Sequence, residues 1–193
     1  MKNRIHLYLY DNITGRMDEA LLQKLAQEYV AVHSIKLNDF SIAREQKGKP
    51  FFPNSQGLYF SVSHSREICA YAFAEENIGL DIEFCRKLDF YSLSKRFFCI
   101  EETTFLESGG YKEFFYFWTC KESYAKYLGC GISSPRAKFS MVAGDRLAGD
   151  IGELCFYKPT KIPGYSLCIC AKKGARIYVF DRCKSDKIPA KIE

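Results

Sequence analysis

The chain has 193 residues, 47% hydrophobic and 26% charged, which excludes disordered and fibrous classes and allows one larger domain or two small packed halves. A net charge of +5 is spread along the chain with no dense Lys/Arg block, so a nucleic-acid tail is not expected and a local basic pocket for an anionic ligand fits better. Nine scattered cysteines without Cys-x-x-Cys spacing read as free thiols in a reducing cytoplasm, and no apolar run has the length of a signal h-region or a membrane span.

Arg4 to Tyr10 alternates and reads as a first strand. Met17 to His33 places Leu21, Leu22, Leu25, Ala26, Tyr29 and Val30 on one stripe, which predicts a core helix with Asp18 as its N-cap. Gly48-Lys49-Pro50 reads as a turn, because Pro50 favours an extended Lys49 and Gly48 lets the backbone reverse. Leu58 to Val62 is strand-like, and Ile68 to Phe73 is its antiparallel partner. His64 is then expected in a tight turn between Ser63 and Ser65, either solvated or surrounded by donors suited to a phosphate. Glu75-Glu76-Asn77 turns the chain into the next strand.

That strand, Ile78 to Glu83, carries most of the argument. Ile78, Leu80 and Ile82 point to one face, and Gly79, Asp81 and Glu83 to the other. Two carboxylates side by side are either solvated acids at a strand end or a pair that a cation neutralises, since unpaired neighbours raise one another's pKa. A hard divalent ion such as Mg²⁺ suits such oxygens and leaves positions for water and phosphate.

Cys85 to Asp89 is polar and basic and divides the chain into an N-terminal half, 1–88, and a C-terminal half, 89–193. Leu93 to Phe98 and a stretch opening at Glu101-Glu102 are helix-like, broken at Ser108-Gly109-Gly110. Lys112 to Leu128 is the strongest helix, with Phe114, Phe115, Trp118, Tyr124, Ala125 and Leu128 as apolar surface and Gly129 as the stop. Trp118, Glu122 and Lys126 share a stripe, with Lys121 beside them; Glu122 and Lys126 could be no more than an exposed i, i+4 pair. Glu153 to Tyr157, Tyr165 to Ala171 and Arg176 to Phe180 look like a second small antiparallel sheet.

In this order, Gly48-Lys49-Pro50, Phe60-Ser61-Val62-Ser63-His64-Ser65, Ile78-Gly79-Leu80-Asp81-Ile82-Glu83, Arg96-Phe97-Phe98 with Glu102, and Trp118-Thr119-Cys120-Lys121-Glu122 with Lys126 closely resemble the Sfp-like 4′-phosphopantetheinyl transferases. The likeness covers residues 45 to 135 well and the ends by layout. It implies a mixed α/β (α+β) chain of two pseudo-symmetric halves, each a small mainly antiparallel sheet with a packed long helix, and a ligand cleft between them. The activity implied is transfer of the phosphopantetheine arm of coenzyme A to a serine of an apo acyl or peptidyl carrier protein, releasing adenosine 3′,5′-bisphosphate.

By the same likeness Asp81, Glu83 and Glu122 would hold Mg²⁺. Lys49, with Pro50 beside it, and His64 would hold the 3′-phosphate and nearby phosphates of coenzyme A, with Ser63 donating. Lys121 and Lys126 would face the pyrophosphate. Glu122 or a metal-bound water is the candidate base, and Glu102 either orients such a water or is a solvated acid in a first helical turn. Trp118 is expected to pack the base of the site. Two departures from the family stand out: no arginine lies between Arg16 and Arg44 to meet coenzyme A phosphates, and the chain is shorter than many members after Gly131. The competing expectations are a non-catalytic coenzyme A-binding module and a metal-dependent phosphodiesterase acting on coenzyme A. Neither nucleic acid nor membrane is expected as a partner, and the expected state is a monomer.

Overall fold

A computed structural model describes residues 3–12, 15–46, 48–109, 111–143 and 146–183. Met1, Lys2, Gly110 and residues 184–193, which the sequence reading includes, lie outside them. The chain builds β1 (Arg4–Asp11), α1 (Glu19–His33), a short hairpin of β2 (Ala43–Arg44) and β3 (Pro50–Phe51), then β4 (Tyr59–Ser65), β5 (Ile68–Ala74) and β6 (Gly79–Phe84). Three helices follow, α2 (Phe90–Phe97), α3 (Ile100–Gly109) and α4 (Phe114–Tyr127). The remaining strands are β7 (Val142–Ala143), β8 (Arg146–Leu147), β9 (Asp150–Ile151), β10 (Leu154–Tyr157), β11 (Tyr165–Lys172) and β12 (Arg176–Asp181). Among the described residues no helix is long and apolar enough to cross a membrane, and all nine cysteines carry free thiols.

Two four-stranded sheets dominate, in the orders β12-β1-β5-β4 and β6-β11-β10-β9. They are antiparallel except where β12 lies parallel to β1. That pairing corrects one expectation: Arg176 to Phe180 does not join the second sheet. The reason is edge availability. β11 is already flanked by β10 and by β6, whose Asp81 stands opposite Cys168. The open edge of β1 takes β12 instead, and the Arg176 and Arg182 N–H groups donate to the Asn3 and Leu9 carbonyls. β6, read from the first half of the chain, thereby belongs to the second sheet, and β12, from the second half, to the first.

The period of two sorts each strand into layers. Ile5, Leu7 and Leu9 of β1 and Ala70, Ala72 and Ala74 of β5 share a core with Leu80 and Ile82 of β6 and Leu167, Ile169 and Ala171 of β11. The three small alanines let the sheets approach closely. The opposite face of the first sheet, with Tyr8, Tyr71 and Phe73, packs on Leu22, Leu25, Ala26 and Tyr29 of α1, whose first turn is capped by the Asp18 carboxylate accepting from the Leu21 N–H. The opposite face of the second sheet, through Cys168 and Cys170, meets Phe114, Phe117 and Cys120 of α4. The order of layers is α1, first sheet, second sheet, α4.

Gly79 fixes how near α4 lies to β6. A Cβ at this position would stand 1.8 Å from the Ser123 carbonyl oxygen and 2.6 Å from the Tyr127 nitrogen, both backbone atoms. Only a residue without a side chain permits the contact. Gly79→Ala is therefore expected to destabilise the protein by roughly 2–4 kcal/mol in urea denaturation. Gly149→Ala is the control, because its Cβ position meets nothing within 4 Å, and it is expected to stay within about 0.5 kcal/mol of the parent.

Candidate active site

Sheet edges are normally completed by other strands, and the outer edge of β6 is completed differently. Ser61, Ser63 and Ser65, alternate residues of β4, accept from the N–H groups of Leu80, Ile82 and Phe84 at 3.0, 3.3 and 3.0 Å. Three hydroxyls thus join the two sheets along one seam. Each hydroxyl also has a proton to give, and two of them give it to the carboxylates of β6. Ser63 Oγ donates to Asp81 Oδ1 at 2.9 Å, and Ser65 Oγ to Glu83 Oε2 at 3.0 Å.

Asp81 and Glu83 face α4, as the alternation requires. From that helix Lys126 reaches the seam, with Nζ 2.8 Å from Asp81 Oδ1 and 2.9 Å from Ser63 Oγ. Glu122 lies one turn earlier. Burial, then the Asp81 charge, with Lys126 opposing and Glu83 adding, pushes its carboxyl up to about 7. Burial and Asp81 also raise Glu83, against Ser65, Arg86 and Lys126. Asp81 Oδ2 is buried with no hydrogen-bond partner. An unpaired carboxylate oxygen beside two acids whose pKa values are raised is a place where a further cation would be stabilised.

The donor set is all oxygen and fits a hard divalent ion such as Mg²⁺. As the side chains stand, however, no group of three or more His, Cys, Asp or Glu among the described residues is gathered in metal-holding geometry. Lys126 supplies positive charge directly to Asp81.

Lys121, five residues before Lys126, turns elsewhere. Its side chain is only 4% exposed and Nζ stands 3.0 Å from Glu102 Oε2, while also donating to the Phe139 carbonyl at 2.7 Å. Glu102 is fully buried and accepts from the Cys99 and Met141 N–H groups at 2.9 and 2.7 Å. The Cys99 contact reaches back over the first turn of α3, as in one arm of a capping box. The structure therefore pairs Lys121 and Glu102 with each other and does not bring them to the Asp81 cluster, and Glu102 is not a solvated acid. Trp118 packs in a T-shaped contact with Phe97 and a stacked one with Phe114.

Lys49 and Pro50 line a cavity of about 510 Å³ with Phe52, Phe60, Tyr127 and Gly129. Burial lowers the Lys49 pKa, with Glu45 opposing, and its amine donates to Asn77 Oδ1 at 3.1 Å. His64 is not in the turn, as the sequence suggests. It lies within β4 opposite Cys69, because the strand runs on to Ser65 and the reversal falls at Arg66 and Glu67. His64 is exposed and is not among the residues lining the cavity.

Sequence reasoning missed the part played by Ser61, Ser65 and Asn77. The serines carry a usable signal, since hydroxyls at every second position of a strand end are unusual on a buried face. Asn77, placed just before β6, reads only as a turn residue.

Fold and site together define a two-sheet α+β protein whose seam sets Asp81 and Glu83 of β6 beside Lys126 of α4, with Glu122 one turn earlier. A family model described as the 4′-phosphopantetheinyl transferase superfamily matches residues 77–170, the stretch from two residues before β6 into β11. The 4′-phosphopantetheinyl transferase ffp of Bacillus subtilis is 31% identical over 145 residues, covering 70% of this chain and 64% of that protein. Sfp of Bacillus subtilis (strain 168) is 30% identical over 154 residues, 72% and 66% of the two chains, and HetI of Nostoc sp. is 40% identical over 99 residues, 46% and 41%. The aligned region spans just under two thirds of the first two relatives' length. The chain belongs to the 4′-phosphopantetheinyl transferase superfamily and is of the Sfp-like type.

The raised Glu122 pKa has a sign that can be checked. Between its ordinary value of 4.5 and about 7, the folded protein keeps a proton that the unfolded chain has released, so stability falls as pH rises through that window. In chelator-treated protein, Glu122→Gln is expected to stabilise by about 1–3 kcal/mol at pH 8, with most of the gain gone by pH 5. Denaturation curves at the two pH values test this; an equal effect at both would mean that charge at Glu122 is not the cause.

Proposed function

We propose that this protein is a holo-[carrier protein] synthase that transfers the 4′-phosphopantetheine arm of coenzyme A to a serine hydroxyl of an apo acyl or peptidyl carrier protein, releasing adenosine 3′,5′-bisphosphate. The observation that carries the reading is the contact of Lys126 with Asp81 at the seam, which leaves a buried oxygen of Asp81 unpartnered beside two acids, Glu83 and Glu122, whose pKa values burial and Asp81 raise. Membership of the superfamily, and the transferase names of its relatives, support it.

The transfer forms a bond from the carrier serine oxygen to the phosphorus next to the pantetheine and breaks that phosphorus's bond to the bridging pyrophosphate oxygen. Mg²⁺ held by Asp81, Glu83 and Glu122 would polarise the pyrophosphate and offset the charge that develops on the leaving group. Lys126 brings an ammonium to the same place and can exchange Asp81 for a phosphate oxygen without leaving the seam. The serine must lose a proton as it attacks. Glu122 is the carboxylate proposed to accept it.

Lys49 provides the cation for the phosphate of the nucleotide end and Pro50 a wall of the same cavity, whereas His64, exposed on β4, lies outside that lining. Lys121 and Glu102 act through structure in this reading: their buried pair joins α4 to the start of α3 and to Met141, behind the site. An acidic helix on the carrier would suit the net charge of +5.

The test is intact mass spectrometry of apo carrier proteins incubated with this protein, coenzyme A and Mg²⁺, with a chelator control. The expected result is a chelator-sensitive gain of one phosphopantetheine on the carrier serine. Asp81→Asn is expected to lower kcat by roughly 10²–10³-fold, whereas Lys49→Ala raises the KM for coenzyme A and largely spares kcat. Full turnover by Asp81→Asn at limiting Mg²⁺ would remove the metal assignment. Consumption of coenzyme A with no mass gain on any carrier would replace transfer by hydrolysis.

A further inference from the structure

Asn77 sits in the connection from β5, in the first sheet, to β6, in the second. Both ends of its side-chain amide are engaged. Oδ1 accepts from Lys49 Nζ at 3.1 Å, and Nδ2 donates to the Tyr127 carbonyl at 2.7 Å. One side chain thus joins the β2–β3 hairpin to the last turn of α4. Lys49, Asn77 and Tyr127 all line the cavity of about 510 Å³.

The two bonds have different consequences. A lysine has a flexible stem and three donors, and holding its ammonium at one place costs conformational entropy. Asn77 meets that cost before any ligand arrives, and it uses one N–H, leaving the other donors of the ammonium for an anion. Its second bond satisfies a carbonyl at a helix end, where carbonyls lack intrahelical partners. The same bond ties the position of Lys49 to the helix that carries Glu122 and Lys126.

We propose that Asn77 is a positioning residue for anion binding: it presents the Lys49 ammonium to a phosphate of the nucleotide end of coenzyme A and sets its distance from the α4 site. This inference rests on the reading of the cavity given under Proposed function. Asn77 touches neither the reacting atoms nor the phosphate; it acts through Lys49.

The experiment is a double-mutant cycle on the full chain, with coenzyme A and adenosine 3′,5′-bisphosphate as probes in calorimetry. Asn77→Ala and Lys49→Ala are each expected to weaken both probes by roughly tenfold, the size of a lost hydrogen bond to a charged group. The double variant is expected to bind no more weakly than Lys49→Ala alone. Multiplying losses would overturn the proposal, since independent sites add in free energy. A merely structural role for Asn77 would give that result.

A second readout does not need the probes. Acylation of Lys49 by an amine-reactive ester, followed by peptide mass mapping, is expected to speed up several-fold in Asn77→Ala. It is expected to stay slow in Asn77→Asp, which keeps the acceptor facing the amine and gives up the donor to Tyr127. Unchanged labelling in Asn77→Ala would overturn the positioning role whatever the binding shows. Parent protein that binds neither probe would overturn the phosphate reading of the cavity and, with it, the assignment of the ligand.

Discussion

The structure depends on how the outer edge of β6 is satisfied. A strand edge buried against another sheet must find partners for its N–H groups, because an unpaired buried donor costs more than an ordinary hydrogen bond contributes. Pairing β4 directly with β6 would provide them and would merge the two sheets into one. The serines of β4 provide them instead, from side chains, so the sheets remain stacked layers with an apolar core between. A hydroxyl that accepts still has a proton to donate. That surplus proton is what orients Asp81 and Glu83, so the bond that assembles the fold also orders the candidate site.

Close contact does the rest. Because Gly79 lets the α4 backbone rest on β6, the helix brings Glu122 near Asp81 and Glu83. The result opposes stability: three acids share a partly buried space, and the direct ammonium contact to Asp81 leaves one of its oxygens unpaired. A sequence selected for stability alone would replace such residues. Such a break with the rules of stable packing marks a functional site.

Much of this was readable from local periodicity. The two faces of Ile78 to Glu83 follow from the strand period, and the shared stripe of Glu122 and Lys126 from the helical one. The cap at Asp18 and the stop at Gly129 were legible for the same local reason. Long-range choices were not. No property of Arg176 to Phe180 says that β1 rather than β11 is its neighbour; that depends on which edges the other strands leave open. Nor can two lysines of one helix be assigned by type. Lys121 and Lys126 look equally suited to phosphate, and only the position of Glu102, brought by a different helix, draws Lys121 away. His64 was misplaced by two residues because hydroxyl-rich strand ends and turns have similar composition.

The exchange of β6 and β12 between the sheets limits how the molecule can open. Each half of the chain contributes a strand to the other half's sheet, so parting the two sheets would break the serine seam and expose the shared aliphatic core, and parting the two chain halves would break the β6–β11 and β1–β12 pairs as well. A ligand has to approach α4 from its flanks. Two cavities lie there. One, with Lys49, adjoins the C-terminal end of the helix; the other, about 560 Å³, is lined by Phe97, Phe98, Phe139 and the buried Lys121 on the side facing α3. The first offers one lysine held at a fixed place; the second combines the Phe97, Phe98 and Phe139 rings with Arg96, Lys121 and Lys138. The interlocked sheets make this arrangement stiff, and a stiff frame is what allows a few hydrogen bonds at the seam to set the geometry of a reaction.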